Sequence, residues 1–147
     1  MMNILLHRFS LRPITLLACC LLWASAAQAE TRQFGAFEMH YSVFASSFLQ
    51  PDIAAAYGIV RGSDRGVLNI ALRRGTEAVE ARVSGTRGDL IRKEELVFRT
   101  IREDGAIYYI AEFGFDSAET GYFDISVTPE GETTPLRLEF QQALHAD

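Results

Sequence analysis

The sequence predicts an all-β chain, an immunoglobulin-like antiparallel β-sandwich of about seven strands with one short helix between the first two strands. Three observations predict this class. Apolar and polar residues alternate with a period of two in several runs, turn residues separate the runs at regular spacing, and a single helix-like segment interrupts them. About seven short strands in a chain of this length are typical of the immunoglobulin fold. A closed eight-stranded barrel is the main alternative, although barrels that enclose ligands usually need more chain.

The predicted strands are short runs in which every second side chain is apolar. The first shows the pattern clearly, because Phe37, Met39 and Tyr41 alternate with polar residues. The run 107–115 is almost wholly apolar and aromatic, which predicts a central strand covered on both faces. The predicted strands are residues 37–43, 67–72, 79–84, 96–101, 107–115, 122–128 and 136–140.

Turn residues lie between these runs. Asp104-Gly105 predicts a two-residue hairpin turn, since Asp and Gly both tolerate the positive φ of a type I′ turn. Residues 85–88 (Gly-Thr-Arg-Gly) are interpreted as an ordinary loop, and a further turn is predicted at residues 119–121.

One segment has the composition of a helix. Pro51 suits the first helical position, where the missing N–H has no partner, and Asp52 faces the positive end of the helix dipole. Gly58 can adopt the left-handed conformation that ends a helix. Leu49, Ile53 and Tyr57 are spaced to share one side, so the prediction is a two-turn helix whose apolar stripe lies across one end of the sandwich.

Residues 1–29 read as a cleaved secretory signal peptide, and residues 30–147 as a single domain. Basic residues precede an apolar run of about ten residues, too short to remain as a membrane anchor. An A-x-A site predicts cleavage between Ala29 and Glu30, which places the protein in the periplasm and leaves no transmembrane segment in the mature chain. The rival interpretation is a lipoprotein in which Cys19 becomes the acylated first residue.

Cleavage at this site also narrows the chemistry. Both cysteines, Cys19 and Cys20, lie in the leader, so the mature chain would have no disulfide, thiolate ligand or thiol nucleophile. All 19 acidic residues follow Ala29 while two of the 14 basic residues precede it, so the net charge would change from −5 to −7. An acidic protein is a poor nucleic-acid binder, because binding to phosphates requires a basic surface.

The remaining charge is unevenly distributed along the chain. Residues 61–102 hold ten basic and six acidic side chains, whereas residues 103–147 hold one basic and ten acidic. In a sandwich these two segments interleave, which predicts opposite charges across paired strands. Alternatively the domain has one basic and one acidic face and docks through charge.

No group of residues forms a convincing catalytic set, so the sequence predicts no enzyme, no catalytic residue, no cofactor and no metal site. Glu38 and His40 share one strand face and could act as a carboxylate–imidazole pair or as two metal ligands. They equally fit the solvent face of an edge strand. Met39 beside His40 suggests copper, but a copper site needs several soft ligands and Met39 alternates with core aromatics.

The best candidate for binding is the predicted helix and the chain that follows it. An apolar stripe beside basic residues at the end of a sandwich could receive a partner, as could an unpaired sheet edge. Arg61 and Arg65 could instead bind an anion or pair with Asp64 and backbone carbonyls. The candidate binding residues are Leu49, Pro51, Tyr57, Gly58, Ile59, Arg61 and Arg65.

Four stretches of the chain resemble one family of small exported bacterial proteins. They are residues 41–51 (YSVFASSFLQP), 56–61 (AYGIVR), 65–69 (RGVLN) and 106–111 (AIYYIA). The chain is similar over essentially its whole mature length to the domain of unknown function 4426 family. The resemblance implies an immunoglobulin-like fold in the cell envelope and brings with it no catalytic residue, cofactor or substrate.

These observations predict a periplasmic protein that acts as a non-enzymatic binding or accessory module of the cell envelope. Its partner would be another envelope protein or envelope component, and the sequence does not predict the oligomeric state. Two alternatives remain open: a small envelope hydrolase that uses carboxylates or His40, and a carrier of a ligand or metal.

Overall fold

The computed structural model describes residues 29–89, 91–116 and 118–146, and the predicted signal peptide lies outside these residues except for Ala29. Within them the chain forms strands β1 to β10, a 3-10 turn at Ser46–Phe48 and one short helix, α1. The elements are β1 (Glu30–Phe34), β2 (Phe37–Ala45), α1 (Pro51–Ala56), β3 (Arg65–Arg74), β4 (Glu77–Ala78), β5 (Ala81–Gly88), β6 (Lys93–Glu95), β7 (Phe98–Glu103), β8 (Ala106–Gly114), β9 (Glu119–Pro129) and β10 (Leu136–Leu144).

The strands form two antiparallel sheets, which confirms the prediction of an all-β antiparallel chain. The first sheet has the order β1-β2-β3-β8-β7, with β4 paired to β3, and the second has the order β10-β9-β5-β6. Both sheets contribute side chains to one apolar core, with Met39, Leu68 and Ile70 from the first and Ile125 and Leu138 from the second. All five are fully buried. The inward positions alternate along each strand, as a sheet with one face on the core requires.

The number and order of strands differ from the prediction. The described residues contain ten strands rather than about seven, and helix α1 follows the second strand rather than the first. The additional first strand, β1, is exposed along nearly its whole length, so no apolar alternation marks it. β4 and β6 are only two and three residues long. Short exposed strands of this kind give almost no periodic signal in a sequence.

Two predicted turns are wrong because their residues lie in strands. Residues 85–88 belong to β5, where Gly85 pairs with Ile125, and residues 119–121 begin β9. A Cβ on Gly85 would lie 2.6 Å from Ile125 Cδ1 and 2.7 Å from the Asp124 carbonyl oxygen. This glycine is therefore explained by the closeness of the neighbouring strand rather than by a turn.

The hairpin at Asp104-Gly105 and the central strand are confirmed. Glu103 pairs with Ala106, and both intervening residues have positive φ, 49° at Asp104 and 78° at Gly105. β8 lies between β3 and β7 in the first sheet, and consecutive residues Tyr109 and Ile110 are both buried. Burial of consecutive residues shows that both faces of this strand are covered.

Ion pairs between paired strands follow the interleaved charge pattern. Arg99 on β7 lies 2.9 Å from Glu112 on β8, and Arg137 on β10 lies 3.0 Å from Asp124 on β9. The first of these pairs joins the basic middle of the sequence to its acidic C-terminal part. Such exposed pairs contribute little to stability individually, but they neutralise charge locally across the sheets.

Candidate functional site

The outer face of the first sheet is covered by residues 48–61, which we call the α1 segment. A second apolar cluster, separate from the main core, holds the segment on the sheet. Ala54 and Ile59 from the segment pack against Val67 of β3 and Ile110 of β8, and all four are buried. Because inward and outward side chains alternate, Val67 and Ile110 point away from the main core and toward this segment.

A groove of about 210 Å³ lies between the α1 segment and the sheet. Three predicted binding residues, Leu49, Tyr57 and Ile59, line it, and the remaining walls come from strands β2, β3, β7 and β8. The residues from the strands are Phe44, Val67, Asn69, Ile101, Glu103, Tyr108 and Ile110. The groove is thus mostly apolar, with an amide and a carboxylate as its charged or strongly polar side chains.

The other four predicted binding residues do not line this groove. Pro51 is exposed at the start of α1, and Gly58 ends the helical turn with a φ of +63°. Arg61 donates a hydrogen bond to the Ser47 carbonyl (2.9 Å), the kind of backbone partner predicted for it. Arg65 is half-buried, and its Nε atom has no hydrogen-bond partner among the described residues.

Polar contacts hold the end of the α1 segment against strands β7 and β8. The Glu112 carboxylate accepts hydrogen bonds from the Val60 N–H and from Arg99 Nη2, each 2.9 Å long. Arg99 Nη1 also donates to the Gly58 carbonyl at 3.3 Å. The Tyr57 hydroxyl donates to Glu103 Oε2, which closes one side of the groove.

A buried serine holds the start of the same segment. Ser46 is fully buried, and its hydroxyl donates toward the carbonyls of Val60 (3.0 Å) and Gly62 (3.2 Å). The Gly62 N–H donates back to the same oxygen at 2.9 Å. Ser46, just before the α1 segment, is therefore hydrogen-bonded to the chain at the end of the segment. These bonds hold the two ends of the segment close together.

The hydrogen bond to Glu103 leads to a prediction for alkaline pH. It raises the pKa of Tyr57 above the ordinary value of 10.0, because ionisation would place a phenolate against a carboxylate. The folded state holds this proton more tightly, so the stability it contributes is complete below pH 10 and is lost as the pH rises through the raised pKa. In a titration followed by phenolate absorbance, Tyr57→Phe should remove a group that ionises late. If the lost group ionises at or below the ordinary value, the contact with Glu103 is not formed in solution.

The solvent side of the α1 segment carries large apolar side chains. Phe48, Ile53 and Val60 are 61%, 41% and 57% exposed. Phe48 and Val60 directly adjoin Leu49 and Ile59 in the chain, so the exposed side chains flank the groove-lining ones. Three large apolar side chains exposed on one short segment make it a candidate interaction surface.

The predicted pair of Glu38 and His40 is in contact. Glu38 Oε1 lies 2.6 Å from His40 Nε2, and Thr31 Oγ1 lies 3.0 Å from His40 Nδ1 across the β1–β2 pair. A hydroxyl, an imidazole and a carboxylate are thus lined up on the outer face of the first sheet. Met39, the neighbour of His40, is fully buried on the opposite face, so the two side chains cannot share a metal ion.

One buried ion cluster was not predicted from the sequence. Arg87 points inward from β5 and is only 8% exposed. Its guanidinium contacts Glu94 (2.9 Å) and Glu119, donates to the Gly114 carbonyl and lies 4.7 Å over the Phe113 ring. The available signal was that Arg87 continues the inward alternation of Ala81 and Val83, which the loop interpretation of residues 85–88 concealed.

The described residues show neither a metal-binding cluster nor a membrane-spanning helix. Across residues 29–89, 91–116 and 118–146, no three His, Cys, Asp or Glu side chains lie close enough together to hold a metal ion. In the same part of the chain, none of the helices has the length and hydropathy needed to cross a bilayer.

Comparison with known proteins identifies a matching family model and solved structures of similar fold. Residues 31–147 match the family model described as "Domain of unknown function (DUF4426)". The crystal structure of a DUF4426 family protein from Pseudomonas aeruginosa PAO1 is 38% identical in sequence, with a TM-score of 0.73 over 81% of this chain and 96% of that one. No curated protein is significantly similar in sequence.

A more distant likeness is confined to the fold. FetP of uropathogenic Escherichia coli strain F11, expressed in the periplasm of E. coli, is 13% identical, with a TM-score of 0.53 over 81% of this chain and 95% of that one. A copper-bound variant of FetP is 12% identical, with a TM-score of 0.54 over 81% and 96% of the two chains. The match to the family model spans nearly all of the described domain, and the chain therefore belongs to the DUF4426 family.

Proposed function

We propose that this protein is a non-enzymatic binding or accessory module of the cell envelope, and that another envelope protein docks on its α1 segment. The main observation behind the proposal is that Phe48, Ile53 and Val60 are exposed on a segment whose other side is packed against the first sheet. Burial of exposed apolar surface is the main favourable contribution to most protein–protein association.

The hydrogen bonds that hold the α1 segment in place support this role. Ser46 ties its two ends together, and Glu112 and Arg99 fasten it to the sheet. A surface that is already ordered loses little conformational entropy when a partner binds, so less of the interaction energy is lost. The same contacts would keep the apolar side chains presented to solvent instead of allowing them to fold back into the domain.

We also propose that the domain is an immunoglobulin-like sandwich and that it is exported to the periplasm. Two antiparallel sheets with one shared core are consistent with an immunoglobulin-like sandwich. A leader cleaved between Ala29 and Glu30 would deliver the domain to the periplasm. FetP, whose fold is similar, was expressed in that compartment. Intact mass of the exported protein tests this, since a start at Glu30 supports export as a free domain and an acylated Cys19 contradicts it.

A hydrolase is the second candidate, and the specific observation behind it is the alignment of Thr31, His40 and Glu38. Against it, the groove beneath the α1 segment does not include His40, and a hydrolase needs a cleft that holds the scissile bond beside its nucleophile. The copper-bound FetP variant raises a metal carrier as well, but Met39 and His40 face opposite sides of β2. We therefore favour the binding module.

The docking proposal is tested by placing a charge on the surface. Ile53→Asp introduces a carboxylate at the centre of the α1 segment, where partner binding would bury it without a counter-ion. We expect at least a tenfold loss of partner co-purified from cells, with the far-UV spectrum unchanged. Thr133→Asp adds the same charge to an exposed loop position and serves as the matched control. Equal co-purification by the two variants would contradict the proposal.

A further inference from the structure

The groove beneath the α1 segment contains a polar atom without a partner. Asn69 lies on β3, the central strand of the first sheet, where it pairs with Ser42 of β2 and Ile110 of β8. Its side chain lines the groove, and its Oδ1 atom is buried with no hydrogen-bond partner among the described residues. Folded proteins leave few buried acceptors unpaired, so this amide oxygen is available to a donor once the side chain turns it toward the groove.

The walls of the groove restrict what that donor can belong to. The rings of Phe44 and Tyr108 and the aliphatic side chains of Val67 and Ile110 line the groove together with Asn69. A molecule with an apolar body and one donor satisfies both the walls and the amide oxygen.

The size of the groove points to a single ring. Its volume is about 210 Å³. An apolar cavity of about 150 Å³ is enough to hold benzene, so this groove has room for one six-membered ring with a substituent. Rotation of the amide about its last side-chain torsion, which is a soft torsion, turns the oxygen toward such a ring.

Charge at the rim argues against an anionic ligand. The Glu103 carboxylate lines the groove where it accepts the hydrogen bond from Tyr57. A second carboxylate in the same small space would be repelled and would lose its hydration. The ligand that fits is therefore neutral.

We propose that this groove binds a small neutral aromatic molecule with one O–H or N–H group, which donates its hydrogen bond to the Asn69 amide oxygen. This site goes beyond the docking surface proposed above, because it lies beneath the α1 segment rather than on its solvent side. The groove could hold its ligand with or without a partner protein bound.

The test compares two probes that differ only in the donor. Phenol and toluene have similar shapes, and phenol alone can donate to Asn69. In a titration followed by backbone amide shifts we expect saturable changes at Val67 and Ile110, with phenol bound about three- to tenfold more tightly than toluene, the usual effect of one neutral hydrogen bond. Benzoate should bind more weakly than phenol because of Glu103.

Three variants keep the test decisive. Asn69→Leu preserves the volume of the side chain and removes the amide, so the preference for phenol over toluene should disappear while toluene still binds. Ser126→Ala, on a strand of the second sheet, should keep the preference. If Asn69→Leu does not fold, Leu49→Trp fills the groove from its rim and should abolish the phenol-induced shifts. Equal affinity for phenol and toluene in the unmodified protein, or no saturable change at Val67 and Ile110, would overturn the proposal without affecting the test at Ile53.

Discussion

Replacing Arg87 by methionine is expected to lower the free energy of unfolding by about 3 kcal/mol, because it removes a buried guanidinium that donates to the Gly114 carbonyl and to two carboxylates. The guanidinium holds Glu94 and Glu119 and donates to the Gly114 carbonyl, at a site where the arginine side chain is 9% exposed. Methionine keeps much of the contact with Phe113. The loss of stability is therefore due more to the missing charge and hydrogen bonds than to changed packing.

The control lies on the same strand. Arg82 is exposed and faces the opposite side of β5, so Arg82→Met should change the free energy of unfolding by less than about 0.5 kcal/mol. Urea denaturation of both variants measures the difference. A double variant, Arg87→Met with Glu119→Gln, should recover part of the loss, because it also neutralises a partly buried carboxylate that has lost its arginine. An Arg87→Met variant as stable as Arg82→Met would show that the cluster does not form.

Replacing Gly85 by alanine is expected to cost about 1–3 kcal/mol, the usual range for forcing extra volume into a packed interior. The new methyl group would meet Ile125 Cδ1 at 2.6 Å and the Asp124 carbonyl oxygen at 2.7 Å. That oxygen belongs to the backbone of β9, which is paired with β5 on one side and β10 on the other. The neighbouring strand therefore cannot move away without straining the ladders that hold it.

Gly114→Ala is the matched control for this prediction. A Cβ at Gly114 has its nearest contact at 4.0 Å, so alanine there should be neutral or slightly stabilising. The pair also decides between the two interpretations of residues 85–88, since a loop would tolerate alanine at Gly85. If urea unfolding gives the same stability for both variants, β5 does not extend through Gly85.

How far the fold could be predicted depended on where each side chain points. Alternation of apolar and polar residues identified the strands that line the core, and Asp104-Gly105 identified a hairpin because its chemistry is local. β1 was missed because nearly all of its side chains are exposed, and without a buried face a strand has no periodic pattern. Gly85 was interpreted as a turn residue because a sequence does not show how closely a neighbouring strand approaches.

The candidate site was predictable only in part for the same reason. The apolar spacing of Leu49, Ile53 and Tyr57 predicted one shared side. Leu49 and Tyr57 do line one groove, but the prediction was wrong for Ile53, which is 41% exposed. The residues that fasten the segment, Arg99 and Glu112, lie on strands far away in the sequence, and nothing local links them to it. Asn69 offered one faint signal, a single amide in an otherwise apolar run, but only the packing shows that its oxygen is unpaired.

The most direct test of the docking proposal is photo-crosslinking in intact cells from a photoreactive residue at position 53. We predict one dominant adduct with another envelope protein from this position, and none from the same residue placed at position 133. Its yield should fall when Val60→Asp is added, because Val60 is a second exposed apolar side chain on the α1 segment. Equal adduct patterns from positions 53 and 133, or no adduct from position 53, would contradict the claim that the α1 segment is where this domain meets its partner.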